Sequence, residues 1–175
     1  LVGDDAFPEV FDALRPTPDL GPPPAASGLD QATADLVARS VVKVEGVACT
    51  RVQDGTGFVV ADELIATNAH VVAGEKGTEV IRDDGRRFEG EVVGFDPERD
   101  LALLAVDGFE RPALAVRSGT TADGSVGGVF GRPGGGPLRI APYRVARALT
   151  ATGRDIYGVA ETERDVLELA ASLRP

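Results

Sequence analysis

The sequence of 175 residues is poor in several side chains on which whole classes of protein depend. It contains one histidine and one cysteine, and it has no methionine and no tryptophan. One histidine and one cysteine far apart in the chain do not make a metal-ligand set, so we predict no metal and no cofactor. No apolar run reaches about 18 residues, which excludes a transmembrane helix within this segment.

Positive charge is also scarce. The formal net charge is −10 at pH 7, and no cluster of lysine and arginine interrupts the acidic sequence. Nucleic-acid binding depends on such clusters, because they neutralise phosphates. We therefore predict no nucleic-acid partner. The chain opens with an acidic pentapeptide rather than a secretory signal, so any signal or membrane anchor is expected outside this segment.

The first part of the chain is distinguished by proline. Half of the twelve prolines fall within the first 28 residues, and five of these six lie in 15–27, which excludes a central strand or a helix interior over that stretch. We interpret residues 1–39 as an N-terminal arm, extended where the prolines lie and otherwise carrying short helices. Apolar spacing predicts one or two helical turns at 7–14. Asp30 is placed to cap a helix that ends near residue 38 and turns Leu36 inward.

From residue 40 the chain changes to short β-branched segments separated by turn residues. The predicted strands lie at 41–47, at 55–61 after a glycine turn, and at 63–67, 78–82, 86–94 and 101–106. The sequence Asp83-Asp84-Gly85 predicts a hairpin turn. Strands this short and this regularly spaced indicate a sandwich or a barrel.

A second set of segments begins after a break near residue 115. Strands are predicted at 125–130, 142–150 and 155–159, and the glycine-rich stretch 131–137 predicts a loop whose backbone approaches another part of the molecule. The last segment, 166–173, has the apolar period of a helix, so periodicity alone favours a helix there.

The single histidine and one aspartate form a pattern with chemical meaning. His70 follows a Thr-Asn-Ala tripeptide, and Asp100 opens an apolar strand thirty positions later. In serine hydrolases an imidazole accepts a proton from a hydroxyl, and a carboxylate orients that imidazole. Asp96 and Asp107 are alternative carboxylates, but each precedes a proline or a glycine and is typical of a turn.

What the sequence does not offer is a convincing nucleophile. The candidate serines are Ser27, Ser40, Ser118, Ser125 and Ser172. Ser125 lies in a glycine-rich hexapeptide that resembles the Gly-Asp-Ser-Gly-Gly segment around the nucleophile of some serine hydrolases, but Asp123 stands one position earlier than the aspartate of that segment. Val126 occupies a place where a small residue lets backbone N–H groups turn toward an oxyanion. We interpret Ser125 as part of a turn into a strand.

Four motifs in a fixed order carry a family resemblance. They are Gly-Thr-Gly-Phe-Val-Val at 55–60, Leu-Ile-Ala-Thr-Asn-Ala-His-Val-Val at 64–72, Asp-Pro-Glu-Arg-Asp-Leu-Ala-Leu-Leu at 96–104 and Val-Phe-Gly-Arg-Pro at 129–133. Together they resemble the bacterial trypsin-like serine proteases of the HtrA-related branch of the chymotrypsin fold.

The resemblance implies an all-β chymotrypsin-like fold of two antiparallel six-stranded barrels after a short helical and extended N-terminal arm. Residues 40–115 would form the first barrel, and 116–175 would form part of a second barrel that is incomplete in this chain. The resemblance also overrules the helical period at 166–173 and implies a strand there. That strand would lead to the nucleophile segment, which is expected just after Pro175.

The implied function is serine endopeptidase activity on protein or peptide substrates, with His70 as general base and Asp100 as orienting carboxylate. An inactive protease-fold module that binds peptides is the alternative, and a non-catalytic envelope β-sandwich is a more distant one. The resemblance further implies a periplasmic location, a membrane anchor outside this segment, and a role in envelope stress or acid resistance.

Two further expectations follow from the resemblance. Cys49 would form a disulfide with a cysteine in the C-terminal portion absent here, with a buried thiol as the alternative. The end at Pro175 has two interpretations: it is a boundary of the segment or of its ordered part, or the protein cleaves itself there and the remaining C-terminal fragment stays bound as a second chain.

Overall fold

The computed structural model describes residues 20–48 and 51–172, and these contain nine strands and two short helices. The strands are β1 Val41–Ala48, β2 Arg51–Ala61, β3 Leu64–Thr67, β4 Glu75–Ile81, β5 Arg87–Asp96, β6 Leu101–Ala105, β7 Val126–Gly131, β8 Arg139–Arg154 and β9 Glu161–Ala171. The helices are α1 Gln31–Ser40 and α2 Ala69–Val72, and a single 3₁₀ turn spans Pro133–Gly135.

The N-terminal arm is described from Leu20 onward. Residues 20–30 are irregular, and they lie against the second sheet, where Arg144 Nη2 donates to the Leu20 carbonyl at 2.9 Å. The cap predicted for α1 is confirmed, because an oxygen of the Asp30 carboxylate accepts the Thr33 N–H at 2.7 Å. The expectation that Leu36 faces inward is wrong, since its side chain is 40% exposed. The helical turns predicted at 7–14 lie outside the described residues.

The first six strands close into a barrel. Neighbours follow the order β1-β2-β3-β6-β5-β4, every pair is antiparallel, and β1 also pairs with β4. Closure gives each of these strands a partner on both sides, so none presents an open hydrogen-bonding edge. Alternation in β1 turns Val42 and Val44 into the barrel, whereas Lys43 and Glu45 point outward and form an ion pair at 3.0 Å.

The barrel interior is a continuous apolar core. Its buried members are Val42, Val44, Val59, Ile65, Ala69, Val71, Val72, Val80, Ala102, Leu104, Val106 and Phe109. Phe109 is almost completely buried in this core, and its ring is edge-on to Phe88 at 5.0 Å between centroids. Each fully buried large side chain contributes about 1.5–3 kcal/mol relative to an exposed one, so this core accounts for most of the barrel's stability.

The turn predicted between β4 and β5 is confirmed. Arg82 N donates to the Arg86 carbonyl at 2.9 Å, and Gly85 N donates to the Arg82 carbonyl at 3.0 Å. Gly85 has a φ of 82°, a left-handed conformation that glycine adopts without steric cost.

The glycine turn expected at the start of 55–61 is wrong. β2 runs without interruption from Arg51 to Ala61, pairing with β1 from Arg51 to Phe58 and with β3 from Phe58 to Ala61. Its glycines serve close packing instead of a turn. A Cβ at Gly55 would lie 2.5 Å from a methyl group of Val71, and one at Gly57 would lie 2.9 Å from Ile65.

The last three strands form a separate antiparallel sheet in the order β7-β8-β9. The strand expected at 155–159 is wrong, because these residues form the turn of the β8–β9 hairpin. There Asp155 N donates to the Ala160 carbonyl at 2.9 Å. The strand that the family resemblance implied for 166–173 is confirmed through Ala171, where β9 ends. Its residues pair with β8, so the cross-strand ladder overrides the helical period.

The all-β double-barrel class is thus confirmed, with a closed six-stranded barrel followed by a partial second sheet. The division of the chain at residues 39 and 115 stays a prediction. None of the helices in residues 20–48 and 51–172 has the length and apolar character needed to cross a bilayer.

Candidate active site

His70 lies on α2, a single helical turn that directly follows β3. The flanking residues Ala69, Val71 and Val72 are buried in the barrel core, while the His70 side chain is 22% exposed. Val71 packs against Gly55, where any larger residue would collide with it. The apolar neighbours therefore anchor the turn and leave the imidazole at the rim of the barrel.

Asp100 lies at the end of the turn between β5 and β6. The antiparallel pairing of Thr67 with Ala102 places the end of β3 beside the start of β6, so the residues that follow and precede these strands are neighbours. Asp100 has a φ of 56°, in the left-handed region that aspartate tolerates better than most residues. This conformation turns its carboxylate toward α2.

The two residues are joined by two hydrogen bonds. Asp100 Oδ1 accepts the backbone N–H of His70 at 2.9 Å, and Asp100 Oδ2 lies 2.7 Å from His70 Nδ1. An ionised carboxylate can only accept, so the neutral imidazole carries its proton on Nδ1. Nε2 then holds the lone pair and is the basic nitrogen of the ring.

Asn68 is a site residue to which sequence reasoning assigned no role. Its Nδ2 donates to the Asp100 carbonyl at 3.1 Å and to Asp100 Oδ2 at 3.2 Å. Asn68 precedes α2 at the position where a side chain often caps the helix, but it makes no such cap. The sequence signal that could have identified Asn68 is its position as a polar residue between the end of a strand and the histidine.

The surroundings of Asp100 act on its pKa in opposite directions. Partial burial is the largest single influence and favours the neutral acid, which raises the pKa. Hydrogen bonds from the His70 ring, the His70 backbone and Asn68, together with attraction to His70, lower it. Together, the hydrogen bonds and the attraction lower the pKa more than burial raises it. The pKa of Asp100 therefore lies below its ordinary value of 3.8, and the carboxylate is ionised at neutral pH.

Two hydrogen bonds through Thr56 connect this rim to the glycine-rich loop after β7. Thr67 is buried and donates through Oγ1 to the Thr56 carbonyl at 3.0 Å. Thr56 Oγ1 in turn accepts the backbone N–H of Arg132 at 2.9 Å. The close backbone approach predicted for 131–137 is also present, because a Cβ at Gly135 would lie 2.6 Å from the Asp54 carboxyl.

The alternative carboxylates occupy turns, as the sequence predicted. Asp96 Oδ1 accepts the Arg99 N–H at 2.9 Å and closes the turn that leads to Asp100. Asp107 lies in the turn after β6, next to Gly108, which has a φ of 68°. The structure brings neither of them to His70 in place of Asp100.

The candidate serines occupy structural positions. Ser125 lies in the turn before β7, where its N–H donates to the Ala122 carbonyl at 3.1 Å and its carbonyl accepts from Val145 at 2.8 Å. Ser40 is buried, and its hydroxyl donates to the Pro112 carbonyl at 2.5 Å. Ser27 and Ser118 lie outside regular structure, and Ser172 follows the end of β9 rather than lying within it.

Across residues 20–48 and 51–172, no group of three or more histidine, cysteine, aspartate and glutamate side chains is arranged to hold a metal ion. Cys49, the predicted disulfide residue, lies outside the described residues. The site in the described part of the chain thus consists of an imidazole, a carboxylate and the amide that supports the carboxylate.

Comparison with known proteins places these features in a family. Residues 55–175 match the trypsin-like peptidase domain. The chain belongs to this family. The resemblance drawn from the four ordered motifs is therefore confirmed, and it includes the HtrA-type branch.

Among relatives, serine protease Rv3671c (MarP) of Mycobacterium tuberculosis is 35% identical over 179 residues, which cover 99% of this chain and 44% of the relative. A probable periplasmic DegP-like serine endoprotease of Halomonas elongata is 34% identical over 107 residues, covering 59% of this chain and 22% of its own length. The chain thus spans less than half the length of these curated relatives.

Solved structures agree with the relatives. The active form of the Rv3671c protease superposes with a TM-score of 0.80 at 37% identity and covers 87% of this chain and 68% of that one. Its inactive form gives 0.73 at 35% identity, covering 87% and 74%. An HtrA-type protease, AlgW with a tripeptide, gives 0.63 at 25% identity, covering 74% and 52%.

Proposed function

We propose that the chain carries the general base and the orienting carboxylate of a serine endopeptidase whose nucleophilic serine lies in the sequence after Pro175. The observation that carries the proposal is the contact of 2.7 Å between His70 Nδ1 and Asp100 Oδ2, reinforced by the backbone N–H of His70. Membership of the trypsin-like peptidase family supports it.

In the proposed reaction, His70 Nε2 accepts the proton of the serine hydroxyl as the oxygen attacks the scissile carbonyl. The resulting imidazolium is stabilised by Asp100, which keeps its negative charge throughout. His70 then donates the proton to the leaving amine, and backbone N–H groups beside the serine hold the oxyanion.

The hydrogen bonds around Asp100 suit its role as the carboxylate that orients His70. A carboxylate held by three donors on His70 and Asn68 stays ionised and cannot rotate away from the ring. The ring is therefore kept in the tautomer that general-base catalysis requires. The same contacts engage Nδ1 with the carboxylate, which leaves Nε2 as the nitrogen that would accept the serine proton.

The test is His70→Ala in the full-length protein. We expect kcat for a peptide substrate to fall by about 10⁵-fold or more, since the base cannot be replaced by water. Labelling of a serine by a fluorophosphonate probe should disappear in parallel, while circular dichroism shows the same β-sheet content. Turnover at the original rate in a folded His70→Ala variant would refute the proposal.

A peptide-binding module without hydrolytic activity is the second candidate. It is favoured by the structural positions of the described serines, such as buried Ser40 and turn residue Ser125. The two candidates differ in the residue at the nucleophile position. A protein that binds peptides but resists the fluorophosphonate probe would establish the module, whereas labelling of a serine after Pro175 would establish the protease.

The setting of the enzyme is proposed from its relatives. A periplasmic DegP-like relative supports an extracytoplasmic location, and we propose a membrane anchor outside this segment and a role in envelope stress or acid resistance. An oxidising compartment would allow Cys49, the single cysteine of the chain, to pair with a cysteine after Pro175. Self-cleavage near Pro175 would leave two chains joined by that disulfide.

Mass spectrometry of the intact protein tests both statements. Self-cleavage predicts two masses under reducing conditions and one combined mass without reductant. A single unbroken polypeptide in reductant would exclude the cleavage, and two separate masses without reductant would exclude the disulfide.

A further inference from the structure

The β8–β9 hairpin of the second sheet reaches back to the turn that carries Asp100. The backbone N–H of Ile156 donates to the Pro97 carbonyl at 3.2 Å. Arg164 Nε donates to the next carbonyl, that of Glu98, from 66 positions away in the sequence. Two consecutive carbonyls of the turn are therefore held by one hairpin, and the Ile156 side chain packs against the barrel core beside them.

The turn needs support because of the backbone of its last residue. Asp100 adopts a left-handed φ of 56°, which L-residues adopt rarely, and its carboxylate position depends on that conformation. On the side of the barrel, Asp96 fixes the turn by accepting from the N–H and the guanidinium of Arg99. The hairpin supplies the corresponding hold on the other side.

Arg164 is suited to this contact by the geometry of its side chain. Its Nη2 donates to the Arg154 carbonyl at 2.8 Å, so the planar guanidinium spans a carbonyl of the hairpin and a carbonyl of the turn. A lysine ammonium is a compact point charge and cannot bridge both in the same fixed geometry. The hairpin end is itself ordered by Asp155, whose carboxylate accepts the N–H groups of Tyr157 and Val159.

We infer that Arg164 is a positioning residue for the Asp100–His70 pair. It acts through the Glu98 carbonyl, which lies two residues before Asp100, and it couples the second sheet to a site built entirely on the barrel. The inference rests on the proposed function, since it assigns Arg164 a role in the same reaction. Loss of the guanidinium should let the turn relax and lengthen the bond between Asp100 Oδ2 and His70 Nδ1.

The direct test uses the only histidine of the chain as a probe. In the ¹⁵N-labelled full-length protein, the Nδ1 proton of His70, shared with a carboxylate, should give a resonance far downfield, which is assigned to His70 by its loss in His70→Ala. We expect it to move upfield or broaden beyond detection in Arg164→Ala, and to change partly in Arg164→Lys. Arg154→Ala is the matched control, because the Arg154 side chain donates to the Gly158 carbonyl within the same hairpin, and the substitution leaves the Arg154 carbonyl that accepts from Arg164 in place. That variant should retain the resonance.

Activity of the full-length protein provides the second readout. We expect kcat of Arg164→Ala to fall by about 10- to 100-fold with KM nearly unchanged, because misplaced catalytic groups slow the chemical step more than binding. Arg154→Ala should keep its rate. If Arg164→Ala does not fold, the folded Arg164→Lys variant decides by the same two measurements.

The outcomes separate the inference from the proposed function. An unchanged His70 resonance and an unchanged kcat in folded Arg164 variants would overturn the inference and leave the function intact. Absence of the downfield resonance in the unsubstituted chain would overturn both, because the contact between His70 and Asp100 would then not exist.

Discussion

The two sheets of this chain differ in whether their edges are paired and in how much apolar surface they bury. The barrel of β1 to β6 closes on itself and encloses a continuous core that includes Ile65, Leu104 and Phe109. The sheet of β7 to β9 leaves two edges open and, among the described residues, buries few apolar side chains. Its buried apolar residues are Ala141, Val145, Ala151 and Ala170.

The difference shows where rigidity in the described chain comes from. A closed barrel satisfies its backbone hydrogen bonds internally and can hold a site at its rim. The three-stranded sheet instead relies on contacts with the barrel, at Thr56 and Arg132 and again at Pro97 and Ile156. The imidazole and the carboxylate both lie on the closed barrel, and the three-stranded sheet contacts the turn that carries the carboxylate.

After the loss of the base in His70→Ala, the largest effect should come from removing the charge on Asp100, the carboxylate of the barrel. In the full-length protein, Asp100→Asn should lower kcat by about 10⁴-fold, as the same substitution does in a Ser-His-Asp triad. The reason is that the amide favours the wrong tautomer of the imidazole. The control is Asp62→Asn, an exposed turn aspartate between β2 and β3. If peptide hydrolysis is equal in both variants, the chemistry does not reside on the barrel.

Barrel packing should give the next largest effect. In Gly55→Val the new Cβ would lie 2.5 Å from a Val71 methyl, so the helix carrying His70 must shift. We expect a loss of about 3 kcal/mol in the free energy of unfolding, measured with urea. Gly77→Val is the matched control, because a Cβ at Gly77 meets nothing within 4 Å. Equal stability of the two variants would contradict the tight seating of α2.

A smaller and local effect is expected in the open sheet. Asp155→Ala removes a carboxylate that accepts three backbone N–H groups of the hairpin turn, from Tyr157, Val159 and Ala160. Hydrogen exchange of hairpin amides should become roughly tenfold faster, while barrel amides keep their protection. Asp123→Ala, at an exposed position before β7, is the control. Faster hydrogen exchange throughout the barrel would show that the barrel is not stabilised independently of the three-stranded sheet.

These hydrogen bonds also hold the pKa of Asp155 below its ordinary value of 3.8, chiefly through the Val159 N–H. A lowered pKa means that the folded state binds the proton less readily than the unfolded state. The stabilisation is therefore complete above pH 3.8 and is lost as the pH falls further. The exchange difference between Asp155→Ala and the unsubstituted chain should shrink over that range.

The smallest effect concerns the partly buried carboxyl group of Glu75, the first residue of β4. Burial raises the pKa of Glu75 above 4.5, although the Thr78 hydroxyl opposes the shift by donating to Oε2 at 2.7 Å. A raised pKa means that ionised Glu75 disfavours folding at neutral pH and that this penalty vanishes as the pH falls below 4.5. Glu75→Gln should therefore stabilise the fold at pH 7 by less than about 1 kcal/mol, because solvent screens part of the charge.

The control for Glu75→Gln is Glu79→Gln, on the same strand but half exposed and paired with Arg87 at 2.5 Å. It should give no stabilisation. A Glu75→Gln gain that persists unchanged at pH 3 would point to packing and not to charge.

Much of the fold was predictable from local signals. Asp30 before α1 and the Asp-Asp-Gly turn before β5 act through neighbouring backbone groups, so short sequence stretches specify them. Gly55 was misinterpreted because a glycine suits a turn and a crowded strand equally well. Residues 155–159 were misinterpreted because Ile156, Tyr157 and Val159 favour a strand, whereas the turn is specified by the Asp155 carboxylate and by Gly158 with its left-handed φ of 69°.

The order of residues by itself determined the alternating strands, the types of the two reacting groups and the family motifs around them. Only the tertiary structure decided that His70 and Asp100 touch, that Asn68 holds the carboxylate and that Arg164 reaches their turn. Those contacts join positions 30 to 66 residues apart. Strand register and barrel closure set such distances, and no local propensity encodes them.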